Sequence, residues 1–487
     1  MDISMDFQSF NSYQKIYSGE NVCKLSADAV IPDTYNDIAR LLNTEFSCKI
    51  ISKDSLFGKV TVSGEVEATS VFLAEEMNSP SVLRTVMPFT AEFSSDDIES
   101  STIPVAAVRI IASDWRELNP RKIGLNADVL VSLEAYNKAE MSFPAAPTET
   151  EAKAFFKTES RTINYISLVS EKLTTLDDEH EAENAEELIS ANTDYFSDSF
   201  ELIGSRLIVK GHSHSRVLYR KNDGKLSSLE YDTQFSQLFD SEEDADIADI
   251  AFALLPAGEY YELIDGAISM ELRVVSQLVC YENKEIACVT DAYACGCEYE
   301  LSYDKKQITS ARERNMLNKS VNVSYDLPDY AASVFVSSVK FGKITASGNG
   351  INVPLVINAM YSDKDNNLYS FRVRENVEFN DVQCNNAEVI LDSVNCGLLG
   401  GKAQFETKIT LRCTKFIIDE ISAVTAMSVN TDRKPSECPS LYIVRAEDND
   451  IWSISKKYGA DQNRIKAINE IFDEEDICGR MLLIPKT

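Results

Sequence analysis

Three widely separated stretches of the chain alternate apolar and polar residues over twelve or more positions each. They are Leu125–Tyr136, Ala267–Tyr281 and Ala403–Phe416. Because side chains of a strand point alternately to its two sides, such alternation is typical of a β-strand with one buried face. Each stretch ends on an aromatic residue, and a glycine precedes that residue by a similar distance in each case. The distance is 72 residues from Gly64 to Tyr136, 70 from Gly211 to Tyr281 and 68 from Gly348 to Phe416. The pattern predicts three related β-rich units.

Short sequences recur at corresponding places in these units. Gly58–Gly64 and Gly342–Gly348 agree at five of seven positions, and similar lead-ins precede them, Ile31–Tyr35 and Leu327–Tyr330. The middle copy, around Leu207–Gly211, is more diverged. A repeat of this length is typical of a duplicated domain rather than of a solenoid unit. We therefore predict a mainly β protein with three tandem β-sandwich-like domains.

The predicted domain boundaries follow from these repeats and from the composition between them. The three β domains cover residues 1–140, 150–300 and 310–428, residues 429–440 are a linker, and residues 441–487 are a separate small domain. Residues 148–156 and 177–189 have helical composition, and the second holds seven carboxylates between Asp177 and Glu187. We predict an acidic helical lead-in to the second domain, with a solvated helix face or hinge preferred over a docking strip for a basic partner.

The last segment, residues 441–487, has the pattern of a small βααβ domain. The predicted elements are a strand at Tyr442–Val444, a helix at residues 451–458, a second helix holding Ile465 and Ile468, and a strand at Met481–Ile484. Gly459 suits the left-handed residue that ends a helix, and Asp461 is placed to cap the second one.

Residue spacing within this segment resembles that of a LysM module. Counted from Trp452, the matching positions are Ile454, Ser455, Tyr458, Ile465 and Asn469, followed by the closing Gly479, Leu482, Ile484 and Pro485. The resemblance implies binding of N-acetylglucosamine polymers or of a peptide or protein partner. Where most LysM modules carry Gly-Asp-Thr, this chain has Asp448, Asn449 and Asp450. Carboxylates there are costly to desolvate beneath a neutral sugar, which favours a protein partner.

By this resemblance, the ligand groove lies between residues 448–452 and residues 469–473. The predicted binding residues are Asp448, Asn449, Asp450, Ile451, Trp452, Ala460, Asp461, Asn469, Ile471 and Phe472. Trp452, Ile454 and Tyr458 also fit a purely structural role, and we predict that these three belong to the core of the module.

The three larger units resemble the SPOCS domain of bacterial endospore coat proteins. The resemblance rests on Val30–Asp33 with Asp37 and Ile38, on an apolar–aromatic pair such as Val71 and Phe72 at a fixed distance after a glycine, and on the long closing strand. Several such domains before one LysM module is the arrangement of SipL-type coat morphogenetic proteins. It implies a scaffold in the mother-cell cytoplasm, at the forespore surface, that binds the ATP-hydrolysing morphogenetic protein of the coat basement layer. In relatives the LysM module engages either that protein or cell-wall precursors.

Acidic residues dominate the chain: 78 Asp and Glu against 47 Lys and Arg give a net charge of −31. Such a surface repels nucleic acid and anionic lipid, so we expect neither as a partner. No apolar run approaches the roughly 20 residues that span a bilayer, and the first residues lack the pattern of a secretory signal. We therefore expect a cytoplasmic protein whose 11 cysteines are reduced thiols.

Candidate chemical groups are sparse. His212 and His214 fall on one face of a strand, but zinc sites need more ligands, so an exposed histidine pair is preferred. Cys295 and Cys297 form the tightest cysteine cluster, for which free thiols are preferred over a metal site or a disulfide. Gly397–Gly401 precedes a strand and predicts a hairpin turn rather than a phosphate loop. We predict no catalytic residue, no metal and no cofactor.

The sequence leaves three hypotheses for function, in this order. The first is a non-enzymatic scaffold in endospore coat assembly. The second is a protein that binds peptidoglycan, its precursors or N-acetylglucosamine polymers through the LysM-like module. The third is a hydrolase with a site in one of the β copies, for which the three histidines of the chain offer little support.

Overall fold

The computed structural model describes residues 2–75, 80–148, 153–224, 226–241, 245–365, 367–430, 441–446, 450–472 and 477–485. Within these ranges nearly all residues lie in strands, and two short helices occur near the C-terminus. The prediction of a mainly β protein is confirmed. Neither helix of this described part has the length and apolar character needed to cross a bilayer.

Each copy contributes a long first strand, a long last strand and shorter strands between them. The first copy comprises β1 (Asp2–Val30), β2 (Ile38–Leu56), β3 (Lys59–Ala74), β4 (Pro80–Ser94), β5 (Ile103–Asn119) and β6 (Lys122–Pro147). The second comprises β7 (Ala154–Glu181), β8 (Ala185–Ile203), β9 (Arg206–Lys221), β10 (Leu226–Asp240), β11 (Ile247–Ile264) and β12 (Ala267–Ala294). The third comprises β13 (Glu298–Asp326), β14 (Ala331–Phe341), β15 (Thr345–Ser347), β16 (Gly350–Asp363), β17 (Leu368–Phe379), β18 (Asn386–Leu399) and β19 (Lys402–Asn430). The C-terminal module comprises β20 (Leu441–Arg445), α1 (Ile451–Tyr458), α2 (Gln462–Ile468) and β21 (Met481–Pro485).

Within a copy, the strands form two layers with an apolar core between them. In the first copy, β2, β3 and β4 make one antiparallel sheet, while β1 and β5 flank β6 in the other layer. Burial alternates along β3, so Val60, Val62 and Val66 face the core and the residues between them face outward. The opposite layer supplies Leu125 and Val129. The other copies repeat this plan, with β8–β10 and β14–β17 as their small sheets.

The first and last strands of each copy pair into a long two-stranded ribbon: β1 with β6, β7 with β12, and β13 with β19. These strands are 26 to 29 residues long, so each ribbon projects beyond its own copy. The projecting halves pair with one another, since β1 joins β19 through Asp2–Ser4 and meets β7 at Tyr13 and Ile166. The structure thus joins the three copies, which the sequence predicts as tandem domains, through shared strand pairing.

Apolar clusters that combine residues of all three copies hold the copies together. The projecting ribbon halves share a buried cluster that includes Phe143, Ile163, Ile286, Ile308 and Ile421, with at least one residue from every copy. The small sheets share another, which includes Leu42, Ile189, Leu218 and Met360. Because burial of a large apolar side chain stabilises by about 1.5–3 kcal/mol relative to its exposure, these clusters favour a single fused body.

The closing aromatic residue of each copy occupies the same place in its last strand. Tyr136, Tyr281 and Phe416 each lie fourteen residues after the first residue of β6, β12 and β19, respectively. Close to each of them, the partner strand of the ribbon holds one extra residue, which makes a β-bulge. Since a bulge bends a strand and increases its twist, these three bulges help to direct the projecting ribbon halves towards one another.

The two nearly identical heptapeptides occupy different structural positions. Gly58–Gly64 spans a turn glycine and the first part of β3, whereas Gly342–Gly348 spans an irregular segment, β15 and a turn. The lead-ins, in contrast, are equivalent, because Ile31 and Leu327 both follow a long first strand and donate their amides to the residue just before the last strand. Local identity did not determine local structure here, since strand register depends on the pairing of the whole sheet.

The acidic segments predicted to be helical form strands instead. Residues 177–181 end β7, Asn184 makes the turn with a φ of 58°, and residues 185–189 begin β8. Residues 154–156 begin β7, and residues 149–152 lie outside the described ranges, as does most of the predicted linker. Because residues 177–181 pair with residues 267–271 of β12, sheet pairing overrides the helical preference of Glu and Ala.

The predicted hairpin turn at Gly397–Gly401 is confirmed. Gly400 and Gly401 connect β18 to β19 with φ values of 60° and 76°. A two-residue turn with positive φ at both positions matches the twist of the flanking strands, and glycine adopts it without steric cost.

Gly64 offers a test of the packing in the first copy. A Cβ atom at this position would lie 2.3 Å from the ring of Phe89 and 2.4 Å from the carbonyl oxygen of Lys49. We expect Gly64→Ala to lower the free energy of unfolding by about 1–3 kcal/mol, because the strand pair or the ring must move. Urea denaturation measures this change.

Gly397→Ala is the matched control, because it also replaces a strand glycine but its Cβ would meet no atom within 4 Å. We expect its unfolding midpoint to stay at or above that of the unmodified protein. Equal midpoints for the two variants would contradict the described packing of Gly64 against Phe89.

Candidate functional site

The C-terminal module consists of an antiparallel strand pair, β20 with β21, packed on α1 and α2. The helix α1 begins after Asp450, whose carboxylate accepts the amide of Trp452 at 3.0 Å, and ends at Gly459 with a φ of 57°. The helix α2 begins after Asp461, whose carboxylate accepts two amides of the first turn. The predicted strand–helix–helix–strand order and the predicted helix ends are observed.

Most predicted groove residues that the structure describes serve the fold of the module. Asp450 and Asp461 are occupied as helix caps, and Ile451, Ala460 and Ile471 are buried in the apolar core. Asp448 and Asn449 lie outside the described residues. These five described side chains therefore have structural roles in the module, as helix caps or as core residues.

Asn469, another predicted groove residue, ties α2 to β21. Its side-chain amide donates to the carbonyl oxygens of Ile465 and Leu483 at 2.8 and 2.7 Å, and its side-chain oxygen accepts the amide of Leu483 at 2.7 Å. A side chain that satisfies three backbone groups at a helix end stabilises that end strongly. Asn469 therefore has a structural role in this module, because it connects the end of α2 to β21.

Trp452 lies at a contact between the module and the body formed by the three copies. Its indole Nε1–H donates to Oδ2 of Asp291 in β12 at 2.8 Å, and its ring meets Tyr293 edge-on with 5.0 Å between ring centroids. The prediction that Trp452 is a core residue is wrong, whereas Ile454 lies in the core and Tyr458 packs against it. Since successive helix residues are about 100° apart, Trp452 falls beside the apolar face rather than on it.

Two more hydrogen bonds belong to the same contact. The hydroxyl of Tyr293 donates to the carbonyl oxygen of Ala460 at 3.1 Å, and the amide of Gly296 donates to the carbonyl oxygen of Gly459 at 3.2 Å. Both use the turn between α1 and α2. Together with Trp452 they hold the module on the strand end of β12 in a defined orientation.

Asp291 is the charged centre of this contact. The ammonium group of Lys456 donates to its Oδ1 at 2.6 Å, and the Asp291 side chain is 22% exposed. Burial by itself would raise the pKa of Asp291, but the hydrogen bonds from Lys456 and Trp452 and the charge of Lys456 outweigh it and lower the pKa below its ordinary 3.8. The carboxylate is therefore ionised in the docked state at neutral pH.

The rest of the module presents apolar side chains to solvent. Ile443 and Met481 are 64% and 62% exposed on the outer face of the β20–β21 pair, where they are diagonal neighbours. Ile468 and Phe472, at the end of α2 and just after it, are 43% and 76% exposed. Phe472 is thus the predicted groove residue with the most accessible side chain among those described. These four side chains are the large apolar groups that the described part of the module offers for contact with a partner.

The other candidate residues do not converge on a site. Nδ1 of His212 lies 2.8 Å from Asp198, while Nδ1 of His214 lies 2.7 Å from Asp232, so each histidine is engaged by a different carboxylate. Cys295 is buried and Cys297 is half-buried, both as free thiols. Across the described ranges, no three His, Cys, Asp or Glu side chains are grouped so that they could hold a metal ion.

Comparisons with known proteins found no matching family model, no matching curated protein and no matching solved structure. The candidate site therefore rests on the geometry of this chain. Sequence reasoning missed Asp291 and Tyr293, because they lie in an ordinary strand about 160 residues from the module and belong to no motif.

Replacement of Asp291 should release the module. In a Trp115→Phe background Trp452 is the single tryptophan of the chain, since the sequence holds two. We expect Asp291→Ala to shift the Trp452 emission to longer wavelength and to increase its quenching by acrylamide. The physical reason is the loss of two hydrogen bonds to a charged acceptor, each worth roughly 1.5–3 kcal/mol.

Asp304→Ala is the control for this experiment, because Asp304 pairs with Lys306 of the same strand, β13, at 3.4 Å and is 48% exposed. Its removal takes away the same charge without touching Trp452. An emission spectrum of Asp291→Ala that equals the control spectrum would contradict the docking contact.

The same contact predicts a pH dependence. Because docking lowers the pKa of Asp291 below 3.8, docking stability is present above that ordinary value and is lost as the pH falls through the lowered value. We expect the Trp452 emission to change in acid, below about pH 4. Asp291→Asn has no carboxyl to titrate at this site, so the step should be absent from its titration, and an unchanged step would contradict the assignment.

Proposed function

We propose that this chain is a non-enzymatic adaptor in endospore coat assembly. It binds the ATP-hydrolysing morphogenetic protein of the coat basement layer through the C-terminal module and through surfaces of the three β copies. It acts in the mother-cell cytoplasm at the forespore surface, as its resemblance to SipL-type proteins with SPOCS and LysM domains implies. It works by contact and does not turn over a substrate.

One observation carries this proposal: the module is anchored on one side and presents apolar side chains elsewhere. Trp452 and Lys456 bind Asp291 of the body, while Phe472 and Met481 remain largely exposed. An adaptor needs a binding surface that is displayed in a fixed orientation on a rigid frame, because ordering that surface in advance lowers the entropic cost of binding. The fused three-copy body supplies such a frame.

The charge of the chain adds a second, weaker argument. A net charge of −31 gives a long-range field that attracts a basic protein surface and accelerates its association. Apolar contacts at the module would then supply most of the affinity, since desolvated apolar anchors dominate protein interfaces.

Glycan binding is the second candidate function, and two observations favour it. Phe472 offers an exposed ring at the predicted groove, and Asp450 is turned into the helix cap, which removes one carboxylate from the path of a neutral sugar. In this alternative the module binds peptidoglycan, its precursors or N-acetylglucosamine polymers.

The double variant Phe472→Ser, Met481→Ser tests the adaptor function. We expect at least about a tenfold loss of affinity for the basement-layer ATPase, measured by calorimetry, because two apolar anchors are removed. Phe57→Ser is the control, since Phe57 is 84% exposed on a turn of the first copy.

Chitin and muropeptide oligomers are titrated against the unmodified protein, the double variant and Phe57→Ser. Unchanged ATPase binding by the double variant, together with loss of oligomer binding, would replace the adaptor function by the glycan function. Undiminished binding of both ligands would contradict a binding role for Phe472 and Met481.

A further inference from the structure

A cavity of about 470 Å³ lies where the three copies meet. Its walls come from β5 and β6 of the first copy (Val105–Arg109 and Ser132–Glu134), from β11 of the second (Ala251–Ala253) and from β18 of the third (Asn386–Val389). Cavities of this size accommodate small molecules in other proteins. None of the residues predicted from the sequence as candidate site residues lines it.

Four arginines line this cavity, which is unusual in a chain of net charge −31: Arg109, Arg312, Arg314 and Arg412. Arg312 and Arg314 share Asp249, at 3.0 and 2.8 Å, and Arg412 pairs with Glu388 at 3.1 Å. The positive charges of these three guanidinium groups are thus balanced by only two carboxylates.

The remaining carboxylates at the cavity are engaged by lysines. Lys343 pairs with Glu20 and Lys15 pairs with Glu134, each at 3.0 Å. Arg109 makes no ion pair within the described ranges, and Glu20 acts on it only from a greater distance. With the lysine pairs neutral, four arginines face two carboxylates, which leaves an excess of two positive charges.

Arg312 is the most deeply buried of these groups. Its side chain is 4% exposed, and its guanidinium stacks 3.5 Å above the ring of Tyr281 and lies 5.5 Å from that of Phe416. Its Nη1 is buried and has no hydrogen-bond partner among the described residues. A buried charged donor without an acceptor is costly, so this N–H is a position where an acceptor would be strongly favoured.

Two neighbouring arginines also have a buried N–H group without an acceptor. Nε of Arg314 and Nε of Arg412 are also buried without a hydrogen-bond partner in the described part of the chain. Burial lowers the pKa of Arg109, and burial together with the charges of Arg412 and Arg312 outweighs Asp249 and lowers that of Arg314. Burial is the main cause of both changes, and at Arg314 the charges of the neighbouring arginines add to it.

We propose that the cavity is a binding site for a small oxyanion with two negative charges, of the phosphate or dicarboxylate class. Guanidinium groups present forked N–H donors that match the oxygens of such anions, and two negative charges balance the excess at the site. Arg312, held by Tyr281 and Asp249, is the fixed donor, and Arg109 on β5 approaches from another copy. This site is independent of the proposed adaptor function.

Binding of the anion should stabilise the association of the copies. The arginines belong to the first and third copies, and Asp249 belongs to the second, so the complete site exists only when all three copies are assembled. A ligand that binds the assembled state and not the unfolded chain raises its stability in proportion to the logarithm of ligand concentration.

Inorganic phosphate and malonate are the probes, titrated into the full chain by calorimetry at constant ionic strength made up with sodium chloride. We expect saturable binding of at least one of them and a higher unfolding temperature in its presence. Arg109→Gln should weaken this binding by about tenfold or more, because it removes a charged donor without breaking an ion pair.

Arg116→Gln is the matched control, since Arg116 lies on the same strand but is exposed and the net charge changes equally. The control should bind like the unmodified protein. The proposal is overturned if neither anion binds at millimolar concentration, or if Arg109→Gln and Arg116→Gln bind with equal affinity.

Discussion

Three long ribbons that meet between the copies are the constraint on which the rest of the structure depends. Each copy has its own two-layer core, but residues such as Phe143, Ile163 and Ile308 are buried only because all three ribbons project to the same place. Closing contacts between segments so distant in sequence costs chain entropy, which the shared apolar clusters offset. Bulges beside Tyr136, Tyr281 and Phe416 allow the ribbons to bend into that arrangement.

The orientation of the C-terminal module follows from this body. Asp291 and Tyr293 lie near the end of β12, where the projecting half of the second ribbon ends, and they bind the side of α1 that carries Trp452. One wall of the predicted groove therefore faces the body, while Phe472 on the other wall stays exposed. Asp291 accepts from two donors of the module, so the ionisation of this one side chain contributes to the stability of the contact, beside the hydrogen bonds of Tyr293 and Gly296.

Charge is distributed unevenly between the exterior and the interior of this protein. The excess of acidic residues suits the attraction of a basic partner, whereas four arginines line the cavity between the copies. Buried guanidinium groups keep their charge under all ordinary conditions. Unless negative charge lies close to them, their burial destabilises the folded state. Asp249 and Glu388 supply part of it.

The sequence by itself determined the elements whose signals are local. Alternation predicted the long last strands, and helix caps and spacing predicted α1, α2 and the strand pair of the module. Only the tertiary structure decided the position of Gly342–Gly348, the strand conformation of Asp177–Glu187 on either side of its turn, and the role of Trp452. Those features depend on pairing and packing between distant segments, and neither a short sequence match nor a local propensity contains that information.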